Sequence, residues 1–463
     1  PIAALFAAQY PQDAEAMAAA FYQRRPTAIR VNPLRTTDEA LTQTLQQEGH
    51  TVTAGPWPHC LLVMFNGNPA ASKAFHAGQF HVQGLASQFA ALCCDARPGM
   101  RVLDLCAAPG GKSLTIAEQM QNRGELFSGE AMTGRVKLLK QAFDRCGIER
   151  AKPYHGDATI LNPAFGLGSF DRVLCDVPCS GLGVIGKKPD IREKTLDGIE
   201  NLLLTQQKIL QNGAKYLAPN GRLVYSTCTF APQEDEEQVS DFLDKHDEYF
   251  IEPWEDFLPT DCGIKDGTIA GAMRLYPHLI SGEGHFAVRL RKGQGDPHTA
   301  LDTSDPIDTR QKRAKKNSKK ASKSTFDLSY FTDFAKQVFA NEPLDIAMDS
   351  LTVFGDELYA LPAETPSLKG LKVIRPGLHL GTLKKNRFEP SYALAKALCS
   401  DSMLSYETTE EEAARYLHGE TLMTSTSLQG WVLVCYQGFP LGFAKATKGT
   451  LKNHYPKGLR TQY

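Results

Sequence analysis

Residues 71–292 are predicted to form a doubly wound α/β fold around a parallel sheet. Two observations support this: short, nearly continuous apolar segments recur here, and segments with helical spacing of apolar residues separate them. Strands without polar alternation are buried on both faces, as in a parallel sheet covered by helices. The predicted strands are RVLDLC (101–106), GELFSGE (124–130), KPYHGDA (152–158), FDRVLCDVP (170–178) and GRLVYSTCT (221–229).

Two helices of this region have recognisable ends. The segment TGRVKLLKQAFDRCG (133–147) has helical spacing and ends at Gly147, where glycine readily adopts the left-handed conformation of a helix C-cap. A longer helix is predicted over about 196–217, and the turn-forming residues PNG (219–221) end it.

Residues 1–70 are predicted to form a small α/β domain. A helical pattern leads to the extended basic segment RRPTAIRVNPLR (24–35). A second helix near 38–48 and short strands around 51–65 follow, separated by Gly and Pro.

The C-terminal part differs in composition. Residues 293–325 contain almost no large apolar side chains and are predicted to be a flexible linker. Residues 326–463 have globular composition again, with a short-strand stretch at 344–361 and a helix near 391–399. Apolar alternation on both sides of 438–440 predicts a terminal hairpin, typical of a small β-barrel module.

The composition excludes several classes of protein. The chain has 463 residues, of which 42% are hydrophobic and 22% charged, as in soluble globular proteins. No apolar run is long enough to span a bilayer, and the first residues read as an amphipathic helix, not a signal peptide. Eleven irregularly spaced cysteines indicate free thiols and suit neither disulfides nor a metal site. We therefore expect a cytoplasmic protein.

The charge is unevenly distributed. The net charge is −1, but 310–323 holds eight basic residues and no acidic one, and 445–460 holds five and none. Such segments can bind a phosphate backbone, although a solvated linker and a solubilising surface are an equally good interpretation of charge alone.

The turn after the first predicted strand is the first candidate binding site. In LDLCAAPGGK (103–112), small residues link a strand to a helix, as where a nucleotide-like ligand approaches a doubly wound sheet closely. The dinucleotide fingerprint G-x-G-x-x-G is absent, and a phosphate loop ending at GGKS would need Gly at position 106, which is cysteine. A turn without the full phosphate cradle suits S-adenosylmethionine, and the missing glycine argues against an NTPase.

Acidic residues and cysteines follow other predicted strands. Glu130 ends the second strand and is expected to accept hydrogen bonds from ribose hydroxyls, while Asp157 after the third is placed to meet an adenine edge. The fourth and fifth strands, expected to be neighbours, end in CDVPCSG (175–181) and YSTCT (225–229). Asp176, Cys179 and Cys228 should therefore meet in the ligand crevice, but the residues alone do not separate the roles of the two thiols.

The motifs CAAPGGK, DVPCSG and YSTC resemble those of the RNA 5-methylcytosine methyltransferases of the Nol/Nop/Sun family. The segments RVNPLR, HVQGLASQ and MRLYPHLISGEGHFAVRL strengthen the resemblance, which covers 1–292. A basic linker followed by a barrel-like module is similar to a bacterial subgroup that modifies small-subunit (16S) ribosomal RNA. The resemblance implies a Rossmann-like S-adenosylmethionine methyltransferase core, an N-terminal RNA-recognition-like domain and a C-terminal RNA-binding region with a PUA-like module.

The resemblance also implies a mechanism and a set of site residues. Cys228 is expected to attack carbon 6 of cytosine as the nucleophile, Asp176 to hydrogen-bond or protonate ring atom N3, and Cys179 to assist loss of the carbon 5 proton. RNA is the expected partner, and a monomer without a metal is the expected form. The implied cofactor-binding residues are Cys106, Ala107, Ala108, Pro109, Gly110, Gly111, Lys112, Glu130, Arg135, Asp157, Asp176 and Pro178.

Two other functions stay open. One is cytosine C5 methylation of transfer RNA. The other is a non-catalytic RNA-binding protein of ribosome assembly that retains the fold, although the presence of both Cys179 and Cys228 argues against it.

Overall fold

A computed structural model shows how these segments are arranged. It describes residues 6–7, 10–23, 25–187, 190–191, 196, 198–254, 264–280, 282–293, 328–338, 346, 348–362, 365 and 367–461. Of the predicted linker, only residue 293 is described. The basic segment 310–323 lies outside the described residues.

The N-terminal unit is a four-stranded antiparallel sheet with helices, as predicted for a small α/β domain. Its strands lie in the order β2-β3-β1-β4. Strand β4 lies beyond residue 70, the predicted end of this domain, and that boundary stays a prediction. Its elements are α1 Ala14–Ala20, β1 Thr27–Val31, α2 Asp38–Gln47, β2 Thr51–Ala54, β3 Cys60–Met64, α3 Lys73–Ala77 and β4 Phe80–Val82.

The central unit confirms the doubly wound fold. Strands β7, β6, β5, β8 and β9 are parallel neighbours in that order. The elements are α4 Leu85–Leu92, β5 Arg101–Asp104, α5 Gly111–Gln119, β6 Glu125–Glu130, α6 Thr133–Cys146, β7 Ala151–His155, β8 Phe170–Asp176, α7 Glu200–Tyr216 and β9 Leu217–Thr227. Gly147 caps α6 with a φ of 70°, as its position predicted.

Antiparallel strands extend the sheet beyond β9. The order continues β9-β13-β12-β11, and β10 also pairs with β13. These elements are α8 Glu236–Leu243, β10 Tyr249–Ile251, β11 Ile264–Asp266, β12 Ala272–Leu275, α9 Pro277–Ile280 and β13 His285–Lys292.

The order of the parallel strands determines where a site can form. The chain runs outward from β5 through β6 to β7, then returns to the other side of β5 as β8. The strand order therefore reverses between β5 and β8, and ligands of open α/β sheets bind beyond the carboxyl ends of the strands at such a point. The turn 105–110, Glu130, Asp157, Asp176 and Cys228 all follow or end strands at this edge.

The C-terminal region contains two further sheets. The first has the order β14-β15-β17-β18 and the second β19-β21-β22-β23-β20, with β21 and β22 forming the predicted terminal hairpin. The elements are α10 Ser329–Val338, β14 Leu351–Phe354, β15 Glu357–Ala360, β16 Lys372–Val373, β17 Leu378–Lys384, β18 Arg387–Pro390, α11 Tyr392–Ala397, β19 Ser405–Glu407, α12 Glu410–His418, β20 Leu422–Met423, β21 Gly430–Tyr436, β22 Phe439–Thr447 and β23 Thr450–Asn453.

The C-terminal region is joined to the central sheet. Strand β16 pairs with β7 and becomes its outer neighbour. Arg375 is fully buried, pairs with Asp144 of α6 at 2.9 Å and donates to the carbonyl of Ala151 at 3.0 Å. Lys396 is also fully buried and donates to the carbonyl of Ala77 at 2.8 Å. Buried cations with such partners hold the units together, because separating them would leave polar groups unpaired.

Among the helices that the structure describes, none combines the length and the apolar character needed to cross a membrane.

Candidate active site

Hydrogen bonds to buried groups fix the turn at the end of β5. Asp104 is fully buried, and its carboxylate accepts from the Ser113 hydroxyl at 2.6 Å and from the Cys106 amide at 3.3 Å. Burial raises the pKa of Asp104 to about 7, although the Ser113 hydrogen bond opposes the shift. The amide of Ala107 donates to the carbonyl of Gly129 at 2.8 Å. These contacts fix the first half of the turn against the end of β6.

Glycine is required in the second half of the turn. Gly110 has a φ of 120°, and a Cβ there would lie 3.0 Å from the Leu139 side chain. Gly111 then begins α5, so that its first amides face the crevice. The structure therefore places the predicted residues 106–112 in one tight turn at the switch point, with Gly110 packed against Leu139 and Gly111 against Gln83.

Glu130 lies at the end of β6 with 5% of its surface exposed. Its Oε1 accepts from the Met132 amide at 2.8 Å, and its Oε2 pairs with Arg135 at 3.1 Å. Arg135 also donates to the carbonyl of Ala108 at 2.7 Å, so it links the acid to the turn. This orients the carboxylate at the crevice, and each oxygen keeps capacity for another hydrogen bond.

Asp157 is less constrained. It is exposed, and its Oδ1 accepts from the amide and the hydroxyl of Thr159 at 2.9 and 2.7 Å. It lines a cavity of about 360 Å³ beyond β7 together with Leu105, Ile160 and Leu161. Asp157 therefore lies at the predicted strand end, but its carboxylate is hydrogen-bonded within its own loop.

Asp176, at the end of β8, is the centre of a polar cluster. Its Oδ2 pairs with the Lys112 ammonium at 2.8 Å, and its Oδ1 accepts from the Ser226 hydroxyl at 2.9 Å. Burial opposes the Lys112 charge, but attraction to Asp176 outweighs it and raises the pKa of Lys112. His285 Nε2 lies 3.9 Å from Asp176 Oδ1 without a hydrogen bond of its own. Burial lowers the pKa of His285 to about 3, so this ring is neutral.

The two predicted cysteines are in contact. Cys179 Sγ and Cys228 Sγ lie 3.3 Å apart, and the Cys228 amide also lies 3.3 Å from Cys179 Sγ. The hydrogen bond from Cys179 lowers the pKa of Cys228, and the Lys112 charge acts in the same direction against burial. The same hydrogen bond, together with burial, raises the pKa of Cys179 well above its usual range. Cys228 is therefore the more acidic thiol of the pair.

Several buried residues that were not predicted from the sequence fix the two segments that carry Cys179 and Cys228. Glu234 is fully buried and accepts from the Ser180 amide at 2.8 Å and from Gln206 at 2.9 Å, while Gln206 also donates to the Pro178 carbonyl at 2.9 Å. Thr227 donates to Asp235 at 2.5 Å, and Asp235 pairs with Arg274 at 2.9 Å. The acidic segment PQEDEE (232–237) resembles a solvated surface, so sequence alone gave no signal for these roles.

S-adenosylmethionine fits this crevice. The first turn of α5 begins at the switch point, Glu130 offers acceptor oxygens as ribose hydroxyls require, and Asp176 marks the side on which the cysteines lie. Most of the predicted site residues are thus brought to one edge, with Asp157 at its periphery. The side chains of Pro109 and Pro178 make no polar contact, and these residues shape the backbone.

Four protein families match successive parts of the chain. They are a ferredoxin-like domain described as Methyltr_RsmF/B-like over residues 2–66, the 16S rRNA methyltransferase RsmB/F family over 91–291, the RsmF rRNA methyltransferase first C-terminal domain over 333–398 and the methyltransferase RsmF PUA domain over 404–461.

Individual relatives agree with these matches. The small-subunit rRNA methyltransferase F of Erwinia tasmaniensis is 31% identical, over 84% of this chain and 80% of its own length. The protein of the same name from Escherichia coli O6:H1 is 30% identical, over 93% and 90%. A methyltransferase homologue from Pyrococcus horikoshii is 27% identical in sequence, with a TM-score of 0.55 over 62% of this chain and 94% of its own. NSun6 from Pyrococcus horikoshii shares the fold, with 23% identity and a TM-score of 0.56 over 63% of this chain and 97% of its own. The chain therefore belongs to the RsmB/F family of 16S rRNA methyltransferases, and its two C-terminal domains place it in the RsmF branch.

Proposed function

We propose that this enzyme transfers a methyl group from S-adenosylmethionine to carbon 5 of a cytosine in 16S ribosomal RNA, near the decoding region, through a covalent bond between Cys228 and the base. The observation that carries the proposal is the pair of sulfur atoms 3.3 Å apart beside the Asp176–Lys112 ion pair. The curated relatives are named for the small ribosomal subunit, which supports this choice of RNA.

Cys228 starts the reaction. Carbon 5 of cytosine is a poor nucleophile, but addition of a thiolate at carbon 6 converts the ring to an enamine whose carbon 5 is nucleophilic. The lowered pKa of Cys228 makes its thiolate available. As the sulfur–carbon 6 bond forms, electrons move to ring atom N3, where a proton is needed. Lys112 and Asp176 hold such a proton between them at 2.8 Å.

When bound, S-adenosylmethionine supplies the electrophilic methyl group that carbon 5 takes up. The carbon 5 proton must then be lost, and the sulfur–carbon 6 bond must break with its electrons returning to Cys228. Cys179 is in contact with Cys228, so its thiol can give a proton to the departing Cys228 thiolate, and the Cys179 thiolate that results can accept the carbon 5 proton.

RNA is expected to contact several surfaces besides the crevice. The N-terminal segment 24–35 includes Arg25 beside the site, and the C-terminal PUA domain exposes Lys445, Lys448, Lys452 and Lys457. The basic segment 310–323 could add to them, although it lies outside the described residues. Such contacts position the phosphate backbone without reading the sequence.

The test is methyl transfer to defined RNA, mapped by bisulfite sequencing. Wild-type enzyme with S-adenosylmethionine is expected to produce 5-methylcytosine in 16S ribosomal RNA, either free or within the small subunit, and Cys228→Ala to produce none. Cys435→Ala is the matched control, because this cysteine is fully buried in β21 of the PUA domain. Methylation of transfer RNA instead, methylation at another atom, or an active Cys228→Ala enzyme would contradict the proposal.

A further inference from the structure

A separate cavity adjoins the active site on the side of the N-terminal domain. It has a volume of about 290 Å³ and lies between the segment after α1, the start of α4 and the loops at 183–187 and 282–283. This volume is near the lower limit of small-molecule sites, about 300 Å³. Apolar surface comes from Phe21, Pro26, Val82 and Leu85. Val82 is 44% exposed, which leaves the rim open to solvent.

Only one layer of backbone separates this cavity from the proposed nucleophile. Gly183 lines it, and the Gly183 amide donates to the carbonyl of Cys228 at 2.9 Å. On its other side, the Gly183 carbonyl accepts from Gly284 at 3.0 Å. A Cβ at Gly183 would lie 2.2 Å from the Gly284 carbonyl oxygen. The cavity therefore begins one residue away from Cys228, within reach of a nucleotide next to a cytosine bound there.

One wall of the cavity carries a carboxylate. The Glu283 side chain is 21% exposed and forms an ion pair with Lys187, which is 66% exposed. A Cβ at Gly84 would lie 3.2 Å from Glu283 Oε2, so the carboxylate rests against a position without a side chain. Arg25 fixes the loop that carries Glu283 by donating to the carbonyl of Gly282 at 2.6 Å. The Glu283 carboxylate is mostly buried in the cavity wall, whereas its lysine partner is largely in solvent.

We propose that this cavity binds one unpaired nucleobase next to the cytosine that is methylated, and that Glu283 selects a base with an exocyclic amino group. The proposal deepens the proposed function, since it names a specificity residue for the same RNA. A carboxylate only accepts hydrogen bonds, and adenine, cytosine and guanine each offer an amino group to it. Uracil offers a single ring N–H between two carbonyl oxygens, which repel the carboxylate.

Lys187 completes the site by exchanging its partner Glu283 for a phosphate of the RNA. Its ammonium can leave Glu283 for the phosphate of the bound nucleotide, because most of this side chain is in solvent. The carboxylate is then released for the base, and one cation neutralises one phosphate. The ion pair thus keeps the carboxylate paired until RNA arrives.

The experiment compares two variants that both break the ion pair. Wild type, Glu283→Gln and Lys187→Met are assayed for methyl transfer to 16S ribosomal RNA transcripts in which each nucleotide beside the methylated cytosine is set in turn to A, C, G or U. Wild type is expected to prefer amino-bearing bases over uracil at one neighbour by about tenfold in kcat/KM. Glu283→Gln should reduce this preference to about twofold or less. Lys187→Met should retain it while kcat/KM falls for all transcripts alike.

Each outcome decides between explanations. A purely structural ion pair predicts the same behaviour for both variants, and that result would overturn the proposal. So would a wild-type enzyme without preference at either neighbour, or a Glu283→Gln enzyme that keeps the preference. If wild type methylates no cytosine in these transcripts, either free or assembled into the small subunit, the proposed function itself fails, which is a different result from loss of discrimination.

Discussion

The Cys179 and Cys228 sulfur atoms share a hydrogen bond across 3.3 Å, between the loop after β8 and the end of the neighbouring strand β9. The two sulfur atoms are close but chemically unequal. The shared hydrogen bond lowers the pKa of Cys228 and raises that of Cys179, while burial and the Asp176 carboxylate oppose the shift of Cys228 and Lys112 supports it. This inequality is in line with the proposed roles of Cys228 as nucleophile and Cys179 as proton donor, which the sequence motifs alone did not separate.

The inequality predicts different alkylation rates. At pH 7, iodoacetamide should modify Cys228 faster than Cys179, because a lowered pKa gives a larger thiolate fraction at that pH. In Cys179→Ala the hydrogen bond is removed and the pKa of Cys228 should rise, which slows its alkylation about tenfold for each pKa unit. The alkylation rate of Cys228 should increase with pH and level off at a lower pH in wild type than in Cys179→Ala.

The measurement is peptide mapping by mass spectrometry in a Cys399→Ser background, because Cys399 is exposed and would compete for the reagent. Faster modification of Cys179 than of Cys228 would reverse the assignment made here.

Replacing Cys228 and replacing Cys179 should also impair catalysis in different ways. Cys228→Ala should form no covalent complex with RNA, because the ring is never activated. Cys179→Ala should still form the bond to carbon 6 but release the product slowly, since its proton donor is missing. The variant is then expected to accumulate as a protein–RNA complex that survives denaturing gel electrophoresis. Near-normal turnover in both variants would indicate that the cysteines only fill space.

Much of this site could be predicted from sequence because local patterns determined it. The nearly continuous apolar runs at 170–178 and 221–229 indicated buried neighbouring strands, and β8 and β9 do pair as parallel neighbours. The motifs that follow a strand then reach the same edge of the sheet. Small residues at 106–111 similarly predicted a tight turn, and the structure has one.

The attachment of the C-terminal region could not be predicted in this way. The composition of 293–325 suggested a separable module beyond a linker, yet β16 pairs with β7 and Arg375 is buried in the core. Strand β16 has only two residues and no apolar pattern. A buried arginine contradicts the usual location of charged residues, so only the tertiary partners Asp144 and Ala151 explain it.

Cofactor affinity should depend unequally on the two acids of the crevice. Glu130→Ala removes a nearly buried acceptor, so it is expected to cost about 2–4 kcal/mol of S-adenosylmethionine binding free energy. Asp157→Ala should cost less, about 1 kcal/mol, because Asp157 is exposed and tied to Thr159. Isothermal titration calorimetry measures both, with the melting temperature as a control for folding. Equal losses, or an unchanged dissociation constant for Glu130→Ala, would contradict the placement of the ribose.

Two lysines of the PUA domain lie directly opposite each other. Lys445 of β22 is in register with Lys452 of β23, and both side chains are exposed. Like charges at opposed positions of an antiparallel pair destabilise a sheet by about 0.2–1 kcal/mol. Binding of a polyanion offsets this cost, since each ammonium group can neutralise one phosphate.

The double substitution Lys445→Gln with Lys452→Gln should therefore separate stability from RNA binding. We expect the melting temperature to stay the same or rise, because the repulsion is removed, while affinity for 16S ribosomal RNA falls. The slope of log affinity against log salt should decrease in magnitude by about 1.5–2, since two phosphate contacts are lost. The control carries Lys215→Gln and Lys245→Gln, the same change of charge at two exposed lysines of the central unit. If both double variants reduce the slope equally, the effect reflects net charge and the opposed pair is not an RNA contact.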